Sequence, residues 1–234
     1  MQRRHFQAAA VLSLASLASW RAGAQDFSRL AGISELDASR GMRTALETGA
    51  VAAVRLLGRQ DGFLGSQQFR IPLPAYLQDA GRILTFIGQG QRVQELEVAM
   101  NRAAEAAVPM AKNLLVDAVK KMSVQDAKAI LTGGDTSVTT FFEGKTRSPL
   151  TTSFLPVVRR ETSRVQLAQK ADQLAQKAQA FGLVRMEDPT IDHYVTRKAL
   201  DALYLVIGEE ERKIRRDPVG TGSAILQRVF GAIR

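Results

Sequence analysis

Four carboxylates in this sequence stand where acid–base work is conceivable: Glu105, Asp135, Asp192 and Glu210. Glycoside chemistry would need two of them facing each other across a cleft, roughly 5 to 10 Å apart. A hydrolase acting on envelope material with such a pair is therefore one reading of the chain. His193 lies between Asp192 and Tyr194, with Thr196 close by, and a histidine beside a carboxylate is the elementary general-base arrangement. The nearest hydroxyl candidates, Thr136, Ser137 and Thr139, belong to no recognisable nucleophile motif. A surface histidine is the plainer expectation, and no catalytic residue is assigned.

Other polar groups invite binding rather than catalysis. Asn101 and Glu105 are four residues apart, hence on one helix face, within an alanine-rich stretch. Such a pair either lines a groove or hydrogen-bonds to a neighbouring segment, and the second is expected. Glu209, Glu210 and Glu211 precede Arg212, Lys213, Arg215 and Arg216. Glu211 to Arg215 is an i,i+4 ion pair in the favourable order, which describes a solvated helix end; a carboxylate–arginine site is the alternative. A ligand groove would draw on Asn101, Glu105, Asp135, Thr139 and Lys145, with Asp192, Glu210 and Arg215 as further candidates. Gly220-Thr221-Gly222-Ser223 could offer backbone N–H groups to an anion at a helix start, but reads first as an ordinary cap.

Several chemistries are excluded. The chain has no cysteine, so thiolate metal sites, cysteine nucleophiles and disulfides are impossible. Its two histidines are His5 and His193, too few for a histidine metal site. Neither metal nor cofactor is expected. Phosphate-binding loop, nucleophile elbow, His-Glu-x-x-His and calcium-loop patterns are all missing.

The first 24 residues read as an export address. Arg3 and Arg4 make a basic start, Ala8–Ala18 is mildly apolar, and Ala22-Gly23-Ala24 supplies small residues for cleavage before Gln25. The apolar run is too short to span a bilayer, and no later segment is apolar enough to do so. Arg3-Arg4-His5-Phe6 resembles the core of a twin-arginine signal; ordinary secretory export is the other route. A periplasmic or secreted product is expected. The chain is formally +9, and about +6 without Arg3, Arg4 and Arg21. Outside the cytoplasm such charge meets no nucleic acid, so the partners expected are an envelope protein or an anionic envelope component.

The elements that must hold these residues are helical. Met42, Leu46, Ala50, Ala53, Val54 and Leu57 repeat at three and four after a cap at Ser34 or Asp37. Ile71-Pro72-Leu73-Pro74 cannot be helix interior and predicts a short extended strap. A helix carrying Leu77, Ile83, Leu84 and Ile87 follows, and then one from Arg92 to Met122 that Pro109 should kink or break. Ser123 and Asp126 form a capping-box pattern. Asp135 caps the next helix, and Ser148-Pro149 reads as the start of another that reaches Phe181. Within it Leu167–Ala171 recurs as Leu174–Ala178, a two-heptad seam more suited to an intramolecular hairpin than to a zipper. Asp188-Pro189 starts a helix burying Ile191, Val195, Leu203, Val206, Ile207 and Ile214, and Ser223 caps a short terminal one with Ile225, Leu226, Val229 and Phe230. The fold predicted is all-α: an irregular bundle of about eight helices in a single domain over residues 25–234, with its core at about 34–231.

Spread along that frame is a series of short motifs. Asp61-Gly62-Phe63, Ile71-Pro72-Leu73-Pro74 and Met100-Asn101-Arg102-Ala103-Ala104-Glu105 come first. Asp126-Ala127, Ile130-Leu131 and Asp135-Thr136 with Thr139 follow, then Tyr194-Val195-Thr196, Ala199-Leu200, Glu210-Glu211, Ile214-Arg215, Pro218 and Val229-Phe230-Gly231. In order and spacing this resembles the domain of unknown function 4197 family of exported, helical bacterial proteins, from about Ser34 to Gly231. The resemblance implies an all-α exported protein and brings no activity, ligand or site residue. The Leu167–Ala180 repeat falls outside the pattern.

The leading functional reading is thus a periplasmic, non-enzymatic binding or interaction module that uses a groove or surface between helices. The paired-carboxylate hydrolase is the alternative. A self-associating structural envelope protein, resting on the Leu167–Phe181 seam, is the third.

Overall fold

The apolar repeat of residues 42–57 is realised in a computed structural model as α1 (Glu35–Leu57), with Met42, Leu46, Ala50, Ala53, Val54 and Leu57 all buried. The structure describes residues 35–134, 136–180, 188, 190–217 and 220. After a turn at Asp61-Gly62 the chain crosses residues 70–74 outside any helix and enters α2 (Ala75–Phe86). Pro74 precedes the first helical residue with φ −54° and ψ 147°, a conformation that proline's ring fixes and that cannot continue a helix backwards.

Pro109 breaks the following helix as its missing N–H requires. α3a (Gly90–Ala107) and α3b (Ala111–Lys120) are joined by a 3₁₀ turn at Val108–Met110. The buried alanines Ala103, Ala104, Ala107 and Ala111 straddle this break and let neighbouring helices approach. The predicted capping box is present at α4 (Val124–Thr132): Ser123 Oγ accepts from the Asp126 N–H at 3.0 Å and Asp126 Oδ2 accepts from the Ser123 N–H at 3.0 Å.

The next two helices depart from expectation. Ser148-Pro149 does not start a helix. α5 (Ser137–Thr162) runs straight through Pro149 and Pro156, and the chain turns only at residues 163–165 before α6 (Gln166–Ala180). Packing overrides the local signal here. Val138, Phe142, Thr146, Leu150, Phe154, Val158 and Thr162 are all buried at intervals of four. Because a helix turns every 3.6 residues, that row winds around α5 and lets it contact several neighbours. Burying Leu150, Phe154 and Val158 contributes about 1.5–3 kcal/mol each, against about 3 kcal/mol for an interior proline.

α7 (Ile191–Arg216) begins two residues later than Asp188-Pro189 implies, and Thr190 at its N-cap makes no side-chain capping bond. Ile191, Val195, Leu203, Val206, Ile207 and Ile214 are buried as expected. α5 and α7 form the central pair, α1, α3a and α3b surround it, and α2 packs on α3a. At the α5–α7 crossing a Cβ on Gly208 would stand 3.0 Å from Thr139 Oγ1, so glycine sets that spacing. With α3 taken as one broken helix, the described residues hold seven helices and no strand. The eighth expected, from Ser223, lies outside them, as does the export segment. Among the described residues no helix is long and apolar enough to cross a membrane.

Candidate functional site

Asn101 and Glu105 lie on the buried face of α3a and are spent on the loop that precedes α2. Asn101 Oδ1 accepts from the Ile71 N–H at 2.8 Å, and its Nδ2 donates to the Ile71 carbonyl at 2.9 Å and to the Glu97 carbonyl at 2.8 Å. Glu105 Oε1 accepts from the N–H groups of Phe63 and Leu64 at 3.0 and 3.1 Å. Its other oxygen takes Arg102 Nη1 at 2.6 Å, while Arg102 Nη2 reaches Asp61 at 2.8 Å. Asp61 has φ 63°, which aspartate tolerates better than most residues. This arrangement closes the loop and leaves neither side chain facing a groove.

A second cluster surrounds the start of α7. Asp192 is buried and pairs with Arg159 at 2.9 Å, and the Thr190 hydroxyl donates to it. Burial opposes its ionisation, but the hydrogen bonds from Thr190 and Arg159 prevail and hold its carboxyl below the usual range. From α6, Asp172 accepts the Ile191 N–H at 2.8 Å and so caps α7 from another helix. Burial pushes the Asp172 carboxyl up, only partly offset by that bond. His193, half-buried, places Nδ1 2.7 Å from Thr190 Oγ1, so Asp192 and His193 share Thr190 instead of forming a base aimed at a substrate. Arg197 holds Asp188 at 2.7 Å. The Tyr76 hydroxyl is buried in the same corner without a hydrogen-bond partner among the described residues, and burial followed by the nearby aspartates raises its pKa. Among the described residues no group of three acids or histidines is arranged to hold a metal ion.

A third arrangement is concave. Where α5 ends and α6 begins, the chain leaves a cleft of about 630 Å³ against the first half of α3a, within the range of small-ligand sites. Val98, Ala99, Val165 and Leu167 give it an apolar floor. Arg92, Arg164 and Lys170 stand around it against one carboxylate, Glu95. Arg164 pairs with Glu161 at 3.0 Å, whereas Arg92 and Lys170 make no ion pair among the described residues. The cleft also receives the first turns of α3a and α6, at Gln91 and Gln166. The positive ends of the two helix dipoles add to the potential there. An anionic ligand with some apolar surface fits this chemistry.

Of the ligand-site candidates expected from sequence, the described ones, Asn101, Glu105, Thr139, Lys145, Asp192 and Glu210, do not line that cleft. Thr139 is at the α5–α7 crossing, and Lys145 is exposed on α5, close enough to Asp126 to help keep its carboxyl low after the Ser123 bonds. Glu210 pairs with Lys213 at 2.5 Å. Glu211, expected at a solvated helix end, is buried; the side chain of Arg215 and all of Asp135 lie outside the described residues. Asp192 and Glu210 are 18 residues apart on α7, about 27 Å by helical rise, and Glu105 is enclosed. Glu105, Asp192 and Glu210 therefore do not form a carboxylate pair. Of the heptad seam, Ala171 is buried and Leu167 half-buried; the burial of its later positions, from Leu174, lies outside what the structure describes.

Arg92, Arg164 and Lys170 carry no motif, and their juxtaposition depends on the turn at 163–165, which the helix expected through Phe181 hid. Gly88-Gln89-Gly90 ahead of Arg92 was the one local sign of a helix start there. No curated protein and no solved structure matches the chain. A family model described as Protein of unknown function (DUF4197) matches residues 32–231, and the chain belongs to that family.

Proposed function

We propose that the chain is an exported, non-enzymatic binding module that holds an anionic envelope component in the cleft between α3a and the α5–α6 corner. The observation that carries this reading is the placement of Arg92 and Lys170, two cations without ion pairs among the described residues, on one 630 Å³ cleft with an apolar floor. The sequence supports the location: residues 1–24 have the pattern of a cleavable export signal, and the remaining chain is basic. We read residues 25–234 as one domain, with residues 71–74 as the extended strap that ties α2 to α3a.

The test is native mass spectrometry of the protein purified from its own host's envelope. The reading expects a bound anionic mass that the double variant Arg92→Glu/Lys170→Glu loses. A mass retained by that variant would place the ligand elsewhere, and a bare protein would count against a resident ligand in this cleft. The hydrolase reading finds no support in Glu105, Asp192 and Glu210, which do not face one another. Self-association through the heptad seam is disfavoured by the burial of Ala171, one of its positions, within the monomer.

A further inference from the structure

The helix carrying Leu77, Ile83, Leu84 and Ile87 buries only part of its apolar side chains. Leu77 and Gly81 face α3a, while Ile83 is 63% exposed, Phe86 91% and Ile87 61%. These three residues form one ridge at i, i+3 and i+4, at the tip of the hairpin that α2 makes with α3a. Gly88, at φ +78°, turns the chain back immediately after it. Phe86 also borders, with Arg82, Thr85 and Glu97, an open cleft of about 570 Å³ against α3a.

Two properties of the tip specify what meets it. First, its backbone donors are already satisfied: Ile87 N–H bonds to the Ile83 carbonyl at 3.1 Å, Gly88 to Thr85 at 3.2 Å and Gln89 to Leu84 at 2.7 Å. The Thr85 hydroxyl is likewise spent, on the Gly81 carbonyl at 2.8 Å. A turn whose N–H groups are already bonded brings fewer unmet donors to a lipid interface. Second, the charge beside the ridge is positive. Asp79 is tied to Arg82 at 3.3 Å, and Arg92, on the adjoining turn of α3a, has no ion pair among the described residues. A second copy of the chain is a poorer occupant: three side chains offer roughly 400–500 Å², about half the ~800 Å² that each partner of a stable complex covers.

We infer that the α2–α3a hairpin tip docks on an anionic lipid surface, seating Ile83, Phe86 and Ile87 at the boundary of headgroups and acyl chains with Arg82 and Arg92 at headgroup level. The tip shares Arg92 with the cleft, but its apolar residues Ile83, Phe86 and Ile87 are not among the cleft's lining, so a readout at Phe86 separates the two.

Trp20 is the chain's one tryptophan, so the full-length variant Trp20→Phe/Phe86→Trp reports on the tip alone. The expected result is an exposed-type emission in buffer, a blue shift with vesicles of phosphatidylcholine containing one third phosphatidylglycerol, and quenching by brominated acyl chains. Pure phosphatidylcholine should give a much weaker response, and adding Ile83→Ser/Ile87→Ser should lower the apparent partition coefficient at least about tenfold. A blue-shifted emission before lipid is added would overturn the inference, since the ridge would then be covered by a second copy or by the chain's own apolar segment around Val229 and Phe230. Vesicle binding without a shift at the tip would overturn it as well, as would no response to anionic vesicles.

Discussion

Asn101 holds Ile71 from both sides, accepting its N–H at 2.8 Å and donating to its carbonyl at 2.9 Å. One carboxamide thus does for a buried, non-helical segment what a neighbouring strand would otherwise do. Replacing it by alanine leaves two buried backbone groups of Ile71 without these partners. Each such loss costs about 1–3 kcal/mol, so Asn101→Ala should lower the urea midpoint clearly. Hydrogen exchange at the Ile71 amide should accelerate more than at amides in the middle of α7.

Glu105 closes the other end of the same loop. Glu105→Gln keeps an acceptor for Phe63 and Leu64 but loses the charge-assisted bond from Arg102. Glu105→Ala loses both and should be the more destabilising, by about 1–3 kcal/mol relative to glutamine. Arg102→Ala should cost less than Glu105→Ala, since it leaves the two backbone bonds intact. Equal costs for all three variants, measured by urea unfolding, would show that the backbone bonds carry none of the effect.

Asp172 and Asp192 should titrate with opposite consequences for stability. Asp192, held low, contributes stability that is present above the ordinary carboxylate pKa and lost as pH falls through its lowered value. Asp172, raised by burial, favours its protonated form in the folded protein, so its contribution declines as pH rises through its raised value. Asp172→Asn keeps an oxygen for the Ile191 N–H and removes the buried charge. It should raise stability at pH 7, with the gain disappearing at pH values where Asp172 is protonated. Unfolding midpoints across pH 3–8 check both directions.

Pro149 and Pro156 sit on the exposed side of α5. Alanine at either position restores an N–H that can reach the carbonyl four residues back. The gain, up to about 3 kcal/mol for a helix-interior proline, is reduced by about 0.4–1 kcal/mol because the unfolded chain becomes freer. Each variant should melt a few degrees higher. Lower melting would mean that the prolines set a bend on which α5 packing depends.

Those prolines also mark where sequence reasoning stopped. The apolar faces of α1 and α7, the break at Pro109 and the Ser123–Asp126 capping box were legible because each depends on residues within a turn or two of one another. The pairing of Asn101 and Glu105 with protein groups was legible in kind, since polar residues among alanines on one helix face must find partners. Which partners they find, Ile71 and Phe63, depends on how the loop folds back. Ser148-Pro149 misled because the local start signal is weaker than the burial of Leu150, Phe154 and Val158. Once α5 was divided in the wrong place, the corner at 163–165 vanished, and with it the convergence of Arg164 and Lys170 on Arg92. The helix carrying Leu77, Ile83, Leu84 and Ile87 was legible as an element, but which of these face solvent depends on how α2 docks on α3a: Ile83 and Ile87 are exposed.

The central claim is that Arg92 and Lys170 give the α3a–α6 cleft its affinity for anions. The most direct measurement is calorimetric titration with a soluble, phosphate-bearing oligosaccharide from lipopolysaccharide, freed of its acyl chains so that the hairpin tip cannot contribute. Wild type should bind one equivalent, with affinity falling as salt rises. Arg92→Glu/Lys170→Glu should weaken binding at least tenfold while the melting temperature stays within a few degrees, because neither cation is paired in the described structure. Binding that is unchanged in the double variant, or absent from wild type at low salt, would contradict the account.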